Sequence, residues 1–580
     1  MITLGIHDGH TATACLVKDG KIIAVVSEER LNRIKEWGGF PELAIKECLR
    51  IAGVMPEDIE GIGIAGIMKP TLPQNYYRPH FYKRFFGALS RMGFHRILGS
   101  NKMVKPTQNI LSLLRNKKEI ENKLLTIGFK TKPSFYEHHF LHAATAHLTC
   151  WFNHSKNLVL TSDGSGDAVS ASVNIAEKKE IKRIVEISHY HSISELYTQV
   201  TQYLGMKPMS HEYKVMGMAP YAKKEYAKKT YDVFKKYFRL NTDSMCFENV
   251  SGHWKWQYLG KFQKDLQGHR FDNIASAIQT LFEEIITEWA KNCIIKTGIK
   301  NVVLSGGSFM NVKANNLILN LPEVENLFIF PSCGDESLAI GAALVKYLEL
   351  KPDGEIEPLG PIYFGTEFSD DEIEKVLQKF SGLIVKKMEN IEDFIAQELA
   401  NGKVIGRFAG RMEFGARALG NRSILADPRN RDVIKKINEA IKNRDFWMPF
   451  APSILEERAD DYIVNPKGFY APYMIMAFPT KTKAHSDLLA GLHPYDLTCR
   501  PQIVRKEWNP KYYRLLKKFE ELTGVGGVLN TSFNLHGEPI VCSPKDALET
   551  FIHSSLDALA LGNFYITKNP KFPLPLRKWQ

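Results

Sequence analysis

His138 and His142 stand four residues apart in the run HHFLHAATAHLTCWF. Residues four apart share one face of a helix, so both imidazoles can reach one metal ion. The chain then passes a short loop and enters the apolar strand LVLT. That strand is expected to end in Asp163-Gly164-Ser165-Gly166-Asp167. A carboxylate beside a glycine-rich turn at a strand end is a usual place for a metal or phosphate contact. Two His and one Asp form an open site for a borderline metal such as Fe(II), Zn(II) or Mn(II). A solvated His cluster beside a turn is the plainer alternative. Farther on, the strand LFIF runs into PSCGDE, and Asp335 opens the small-residue helix SLAIGAALV. Asp335 is thus a second carboxylate at a strand-to-helix junction and a candidate fourth ligand.

These residues need elements to hold them. Residues 2–30 read as a β-hairpin and its continuation, with the turn Lys18-Asp19-Gly20 between alternating apolar runs and Asp8-Gly9-His10 at the end of the first strand. About 155 residues later LVLTSDGSGDAVSASVNI echoes this strand, Asp-Gly turn and second strand. Two such hairpins suggest the duplicated α/β architecture of the actin, sugar-kinase and Hsp70 group. Residues 194–222 read as a helical part followed by a loop holding Glu212, Lys214 and Gly217. Residues 271–295 have helix periodicity and read as core. They feed the strand NVVL, then Ser305-Gly306-Gly307-Ser308 and Asn311 before another helix. Strand, glycine turn and helix N-terminus make an anion or nucleotide cradle. The Pro- and Gly-rich KPDGEIEPLGP, residues 351–361, marks a boundary between a first part, 1–355, and a second, 362–580. The second part holds VIGRFAG, the dense polar run RMEFGARALGNRS, and VGGVLNTSFN, which puts Asn530, Ser532 and Asn534 just past an apolar strand.

A chain of 580 residues exceeds one hydrophobic core. Its 44% hydrophobic and 24% charged residues are ordinary for a globular protein. No run approaches the roughly 18 apolar residues of a membrane span. The N-terminus lacks signal-peptide features, and the eight Cys never form CxxC. A cytoplasmic protein with reduced thiols is expected. From Lys69 to Lys132 there are 14 Lys and Arg against two Glu, a surplus equal to the chain's whole net charge of +12. Residues 66–135 therefore read as a basic, aromatic-rich insertion with amphipathic helices, facing an anionic membrane or an acidic substrate, or forming a solvated cap. Nucleic acid is not expected, because no nucleic-acid-binding motif accompanies the charge.

Taken together, HHFLHAATAH, HEYKVMGMAPYA, RMEFGARALGNRSILADPR, MPFAPSIL and LNTSFN resemble the O-carbamoyltransferase family of the NodU/CmcH type. The resemblance covers nearly the whole chain. It implies an actin-like (ASKHA) metal-dependent carbamoyltransferase domain joined to a YrdC-like α/β domain that forms carbamoyl adenylate. By that resemblance His138, His142, Asp163 and Asp335 hold the metal, with Fe(II) the family's expectation. His139 is expected to point off their shared face. Lys442-Asn443-Arg444 and Ser532-Phe533-Asn534 match the Lys-x-Arg and Ser-x-Asn that grip phosphates and the adenylate. Arg417, Arg500 and Asn530 are further contacts. His10 matches the His that contacts or deprotonates the acceptor, and Lys35 in EERLNRIK anchors acceptor or phosphate. Gly306, Gly307, Asn311, Glu212 and Lys214 would hold nucleotide. Three departures stand out. Thr11 replaces the usual Asp after that His, Met448 replaces an Arg, and HPYDLTCRPQ is one residue longer than usual.

The implied chemistry uses carbamoyl phosphate and ATP, with Mg for ATP. Carbamate attacks the α-phosphate, pyrophosphate leaves, and the carbamoyl group passes from the adenylate to a hydroxyl or amine of a glycan or natural product, releasing AMP. A sugar kinase would share the hairpins and the glycine cradle but release ADP. An enzyme that forms threonylcarbamoyladenosine in tRNA would share both halves but use threonine and bicarbonate. The acceptor and the oligomeric state are not readable; the basic insertion favours a large or anionic, membrane-proximal acceptor.

Overall fold

The computed structural model describes residues 1–70, 72, 95–442 and 444–571. The chain divides into two compact units. One comprises Met1–Glu28 and Glu36–Leu359, the other Glu29–Lys35 and Gly360–Gln580. Lys35 thus belongs with the C-terminal residues, although it lies early in the sequence.

The first unit contains two five-stranded sheets. Strands β1 (Ile2–His7), β2 (Thr13–Lys18), β3 (Lys21–Ser27), β4 (Gly61–Ala65) and β5 (Pro133–Tyr136) lie in the order β3-β2-β1-β4-β5. Strands β1, β2 and β3 pair antiparallel, while β1–β4 and β4–β5 pair parallel. Strands β6 (Asn157–Gly166), β7 (Val169–Glu177) and β8 (Glu180–Ser188) follow, and β9 (Phe238–Asn241) with β10 (Cys246–Asn249) makes a separate ribbon. With β11 (Asn301–Ser305) and β12 (Asn326–Ile329), the second sheet runs β12-β11-β6-β7-β8. Its pairings repeat those of the first, two antiparallel and then two parallel. The echo between the two Asp-Gly hairpins is therefore a true duplication, in the order expected of an actin-like domain. The wholly apolar β4, buried along its length, fits a central parallel strand.

The helix Leu338–Leu350 packs on β1 and β4 and against the helix His138–Leu148. Ala65, Tyr136, Leu141, Leu338 and Ala342 form one of the buried clusters there. Its small residues are needed, since close helix-to-strand approach leaves no room for longer side chains. Two expectations change. Residues 133–135, the end of the supposed insertion, belong with Tyr136 to β5, an edge strand of the first sheet. Glu212, Lys214 and Gly217 lie on a helix, Glu212–Met218, rather than in a loop. The described part of the insertion is helical at His95–Leu98, Val104–Leu111 and Lys117–Ile127; residues 71 and 73–94 lie outside the described residues.

The second unit is an α/β domain on one mixed sheet. Strands β13 (Leu383–Lys387), β14 (Ile405–Phe408), β15 (Arg422–Ala426), β16 (Ala451–Leu455), β17 (Gln502–Val504), β18 (Gly527–Ser532), β19 (Ala558–Leu561) and β20 (Phe564–Lys568) are ordered β13-β20-β19-β14-β15-β18-β16-β17. Val404, Phe408, Ile424, Leu529, Phe533, Leu548, Phe551 and Leu559 lie in its core. Asn530 and Ser532 stand within β18, not past it, because the apolar run GVL and the polar NTS share one strand. No described helix is long and apolar enough to cross a membrane.

Candidate functional site

The helix His138–Leu148 begins at the first His itself. Glu137 caps it, its carboxylate accepting from the backbone N–H of His139 and Phe140. The Asp167 carboxylate accepts from His138 N at 2.9 Å and from Ile67 N and Met68 N at 3.0 and 2.8 Å. The start of this helix is thereby pinned to the end of β6. Asp163 does not end that strand as expected. β6 continues to Gly166 through an irregularity between Ser162 and Gly166, which turns Asp163 towards the helix.

The result is a compact donor set. His138 Nε2 lies 2.7 Å from Asp163 Oδ2, and His142 Nε2 lies 3.3 Å from the same oxygen. Asp335 Oδ1 is 3.6 Å from His138 Nε2 and 3.8 Å from His142 Nε2. One ligand atom from each of the four residues falls within 4.8 Å of all the others. Ligand atoms each about 2.0–2.2 Å from one divalent ion lie at most about 4.4 Å apart, so a shift of a few tenths of an ångström lets the four share one ion. His142 Nε2 is buried without a hydrogen-bond partner and sits inside the cluster, as a ligating nitrogen would. Its other nitrogen lies 3.4 Å from Ser305 Oγ at the end of β11. Two imidazoles and two carboxylates are a suitable set for Fe(II), Zn(II) or Mn(II). The residues therefore fit a metal.

Burial opposes charge on both partners here, and proximity overrides it. His138 is raised from 6.5 to about 10 by the Asp163 and Asp335 carboxylates despite its burial. Asp163 and Asp335 are buried too, yet the neighbouring imidazoles hold both well below the usual carboxylate range. Without metal, a proton shared within the cluster takes the cation's place.

His139 does not point away. Its Nε2 lies 3.1 Å from Asp163 Oδ1 and 3.1 Å from Val169 O, while Nδ1 meets Thr161 Oγ1 at 2.8 Å. The first turn of the helix lies directly against β6, so the residue after His138 also reaches the strand. It orients Asp163 from the side opposite His142. His7 was not anticipated either. Buried at the end of β1, its Nε2 is 3.0 Å from His10 O and 4.0 Å from Asp335 Oδ2. Burial lowers it from 6.5 to about 4. The available signal was the HDGH spelling, with two His flanking one Asp-Gly turn. His10 stands on that turn, and Thr11, in a left-handed conformation (φ 55°), donates to Glu336 Oε2 at 3.3 Å.

The glycine cradle abuts the same strand. Gly306 has φ 102°, and a Cβ there would lie 2.2 Å from Ser162 O, one residue before Asp163. Ser308 Oγ meets Ser162 Oγ at 2.8 Å. Gly307 opens the following turn, with open space where a Cβ would be. Asn311 caps the next helix through Ala314 N, and its amide exchanges hydrogen bonds with Gln279. The Glu212 carboxylate accepts from Thr198 Oγ1 at 2.8 Å and Met209 N at 2.7 Å, so it orders its own segment. Lys214 lies one half-turn farther along that helix.

In the second unit Lys442 ends a π-turn, Asn438–Lys442, and is 2% exposed. Its Nζ donates to Ser532 O and Oγ at 2.5 and 3.1 Å and to Asn534 O and Oδ1 at 3.0 and 2.6 Å. All four acceptors are neutral oxygens. Burial, then the charges of Arg444 and Lys35, push the ammonium well below its ordinary range. Arg444 donates to Thr531 Oγ1 at 3.3 Å. Arg500 donates to Met474 O at 3.2 Å, and burial together with the charges of Arg417 and Arg444 disfavours its cationic form. Five cations thus converge around β18. Asn530 lies deeper. Its amide donates to Ala418 O, Ser453 Oγ and Gln502 Oε1, a buried network rather than an open face. Met448 is buried.

A duplicated α/β unit with a His/Asp cluster suited to a metal, followed by an α/β unit with a group of cations around β18, defines a two-part architecture. The sequence comparisons say which. Residues 2–344 match the carbamoyltransferase N-terminus and residues 396–568 the carbamoyltransferase C-terminus. The chain belongs to the carbamoyltransferase family and is an enzyme of that class. It is 34% identical to nodulation protein NolNO of Sinorhizobium fredii, over 98% of this chain and 80% of that protein. It is 33% identical to the uncharacterized protein sll1178 of Synechocystis, over 98% and 97%. The 3'-hydroxymethylcephem-O-carbamoyltransferase of Amycolatopsis lactamdurans is 33% identical over 42% of this chain and 44% of its own length. Among solved structures, full-length HypF aligns over 60% of this chain and 56% of that one, with 12% identity and a TM-score of 0.30.

Proposed function

We propose that this carbamoyltransferase is ATP-dependent, forming carbamoyl adenylate in its second unit and transferring the carbamoyl group to a hydroxyl of a glycan or natural product in its first. The observation that carries the reading is the convergence of Lys442, Arg444, Arg417, Arg500 and Lys35 around Ser532 and Asn534. Half-buried like charges gathered around the buried Lys442 favour an anionic occupant, a role that a triphosphate or carbamoyl phosphate fits.

In the first step water hydrolyses carbamoyl phosphate, its oxygen forming one new bond as the bond between the carbamoyl and phosphoryl groups breaks, to give carbamate and inorganic phosphate. A carbamate oxygen attacks the α-phosphorus of ATP, and the bond to the β-phosphate breaks, releasing pyrophosphate. Lys442 and the three arginines stabilise charge as it shifts onto the phosphoryl oxygens. Ser532 and Asn534 hold the Lys442 ammonium at the point of reaction. In the second step an acceptor oxygen attacks the carbamoyl carbon, the bond to the adenylate oxygen breaks, and AMP leaves. His10, on the turn after β1, receives the hydroxyl proton. The Gly306–Gly307 turn cradles the nucleotide, with Asn311 at the N-terminus of the helix behind it. His138, His142, Asp163 and Asp335 would hold a divalent metal, Fe(II) first among the candidates, which would supply Lewis-acid polarisation of a carbamoyl or phosphate oxygen.

The test is transfer of label from carbamoyl phosphate carrying a labelled carbon to a panel of glycans and hydroxylated natural products, using metal-loaded protein. Label in an acceptor that requires ATP supports the reading. Label transfer without ATP, or a requirement for threonine and bicarbonate, would replace it.

A further inference from the structure

Two of the contacts that fasten the described part of the basic insertion lie beside the His/Asp cluster. Gln108 Nε2 donates to Asp167 O at 2.8 Å, the residue whose carboxylate pins His138. Arg115 Nη2 pairs with Asp8 Oδ1 at 2.7 Å, on the turn that carries His10. Both Gln108 and Arg115 are buried. Between these anchors the chain leaves the protein surface. Ile110 is 65% exposed, Leu113 83% and Leu114 66%. Their i, i+3, i+4 spacing, over the end of the helix Val104–Leu111 and the turn Ser112–Leu114, puts them on one side. They are not the core-facing residues of this stretch, which are Val104 on the same helix and Ile120 and Leu124 on the next, all buried. Lys102, Lys105, Lys117 and Lys118, which flank this apolar tip in sequence, are exposed.

We propose that the Ile110–Leu114 tip and the lysines that flank it in sequence form a docking surface for an anionic lipid bilayer, which brings a membrane-borne acceptor to the cluster. Aliphatic side chains projecting at a turn suit shallow insertion among acyl chains, and exposed lysines before and after them suit anionic headgroups. Nucleic acid would be met by stacking aromatics rather than by Leu and Ile. The role given to the docked acceptor rests on the carbamoyl-transfer reading; the docking itself does not.

The test is flotation of the full chain with vesicles of phosphatidylcholine alone and of phosphatidylcholine with phosphatidylglycerol. The chain is expected to float with the second, less so in high salt, and not with the first. The triple variant Ile110→Asn/Leu113→Asn/Leu114→Asn should lose roughly tenfold or more in vesicle partitioning, with its melting temperature and its carbamoyl-phosphate-dependent ATP cleavage unchanged. Lys117→Gln/Lys118→Gln should weaken binding to anionic vesicles and flatten its salt dependence. Failure of the wild-type chain to float, or a triple variant that floats equally well, would overturn the proposal. So would a wild-type dimer that does not float and that the triple variant dissociates, which would make a second copy the occupant. A chain that floats but does not cleave ATP would keep the docking surface and remove the carbamoyl-transfer reading instead.

Discussion

Gly166 lies against the imidazole of His138: a Cβ built at 166 would stand 2.1 Å from His138 Cγ and 2.3 Å from its Nδ1. The glycine that closes the Asp163 segment is therefore part of what fixes the first metal-ligand candidate. Gly166→Ala must displace the ring or the strand, at about 1–3 kcal/mol of overpacking. The expected result is a folded protein whose affinity for divalent metal is roughly 10- to 100-fold weaker, read by calorimetric titration of metal into chelator-treated protein. Unchanged affinity would separate Gly166 from the site.

The charge state of His138 gives the cluster a pH signature. Its pKa is raised from 6.5 to about 10 in the metal-free fold. The stabilising proton is fully present below pH 6.5, where folded and unfolded chains both carry it. Its contribution shrinks as pH rises from 6.5 and is gone above about 10. Metal-free protein should therefore lose thermal stability across that interval. Metal binding must expel the proton, so metal affinity should rise with pH over the same interval. Melting curves recorded with chelator and with saturating metal should diverge as pH increases.

Lys442 is buried among neutral oxygens, so its charge serves function more than stability. Lys442→Met removes the ammonium at similar volume and relieves its desolvation. The variant should remain folded, with a melting temperature within a few degrees of wild type, since each kcal/mol shifts a large domain by about 2–4 °C. ATP cleavage should fall by about 10²–10³-fold. Wild-type turnover would move the adenylating site elsewhere.

Arg115 and Asp8 form a buried pair, with side-chain exposures of 3% and 12%. Arg115→Ala leaves the Asp8 carboxylate buried and unpartnered by its cation, at a cost of about 3–5 kcal/mol. The double change Arg115→Ala/Asp8→Ala should recover part of that loss. A double-mutant cycle in urea measures the coupling, and additive losses would show that the insertion is not held here.

The sequence carried the main lines of this molecule because periodicity and local turns wrote them. The i, i+4 spacing of His138 and His142, the two Asp-Gly hairpins and the strand before Asp335 are local patterns, and each became the element expected. What escaped depends on distant contacts. His139 appeared to point off the ligand face when only its own helix was considered; its partners Thr161 and Val169 come from β6 and β7. His7 gains its place from Asp335, more than 300 residues away. Residues 133–135 read as the end of a basic insertion, and pairing with β4 makes Pro133–Tyr136 a strand. Asn530 stands two residues before Ser532 on β18 and so shares its face, yet its amide is taken up by Ser453 and Gln502, partners far away in sequence that no local pattern names. Lys35 joins Lys442 by a route that no spacing rule foretells.

The most direct test is incubation of metal-loaded protein with ATP, with and without carbamoyl phosphate, following adenine nucleotides and pyrophosphate, with Lys442→Ala alongside. The account predicts AMP and pyrophosphate that depend on carbamoyl phosphate and vanish in the variant. Release of ADP, or cleavage indifferent to carbamoyl phosphate, would contradict it.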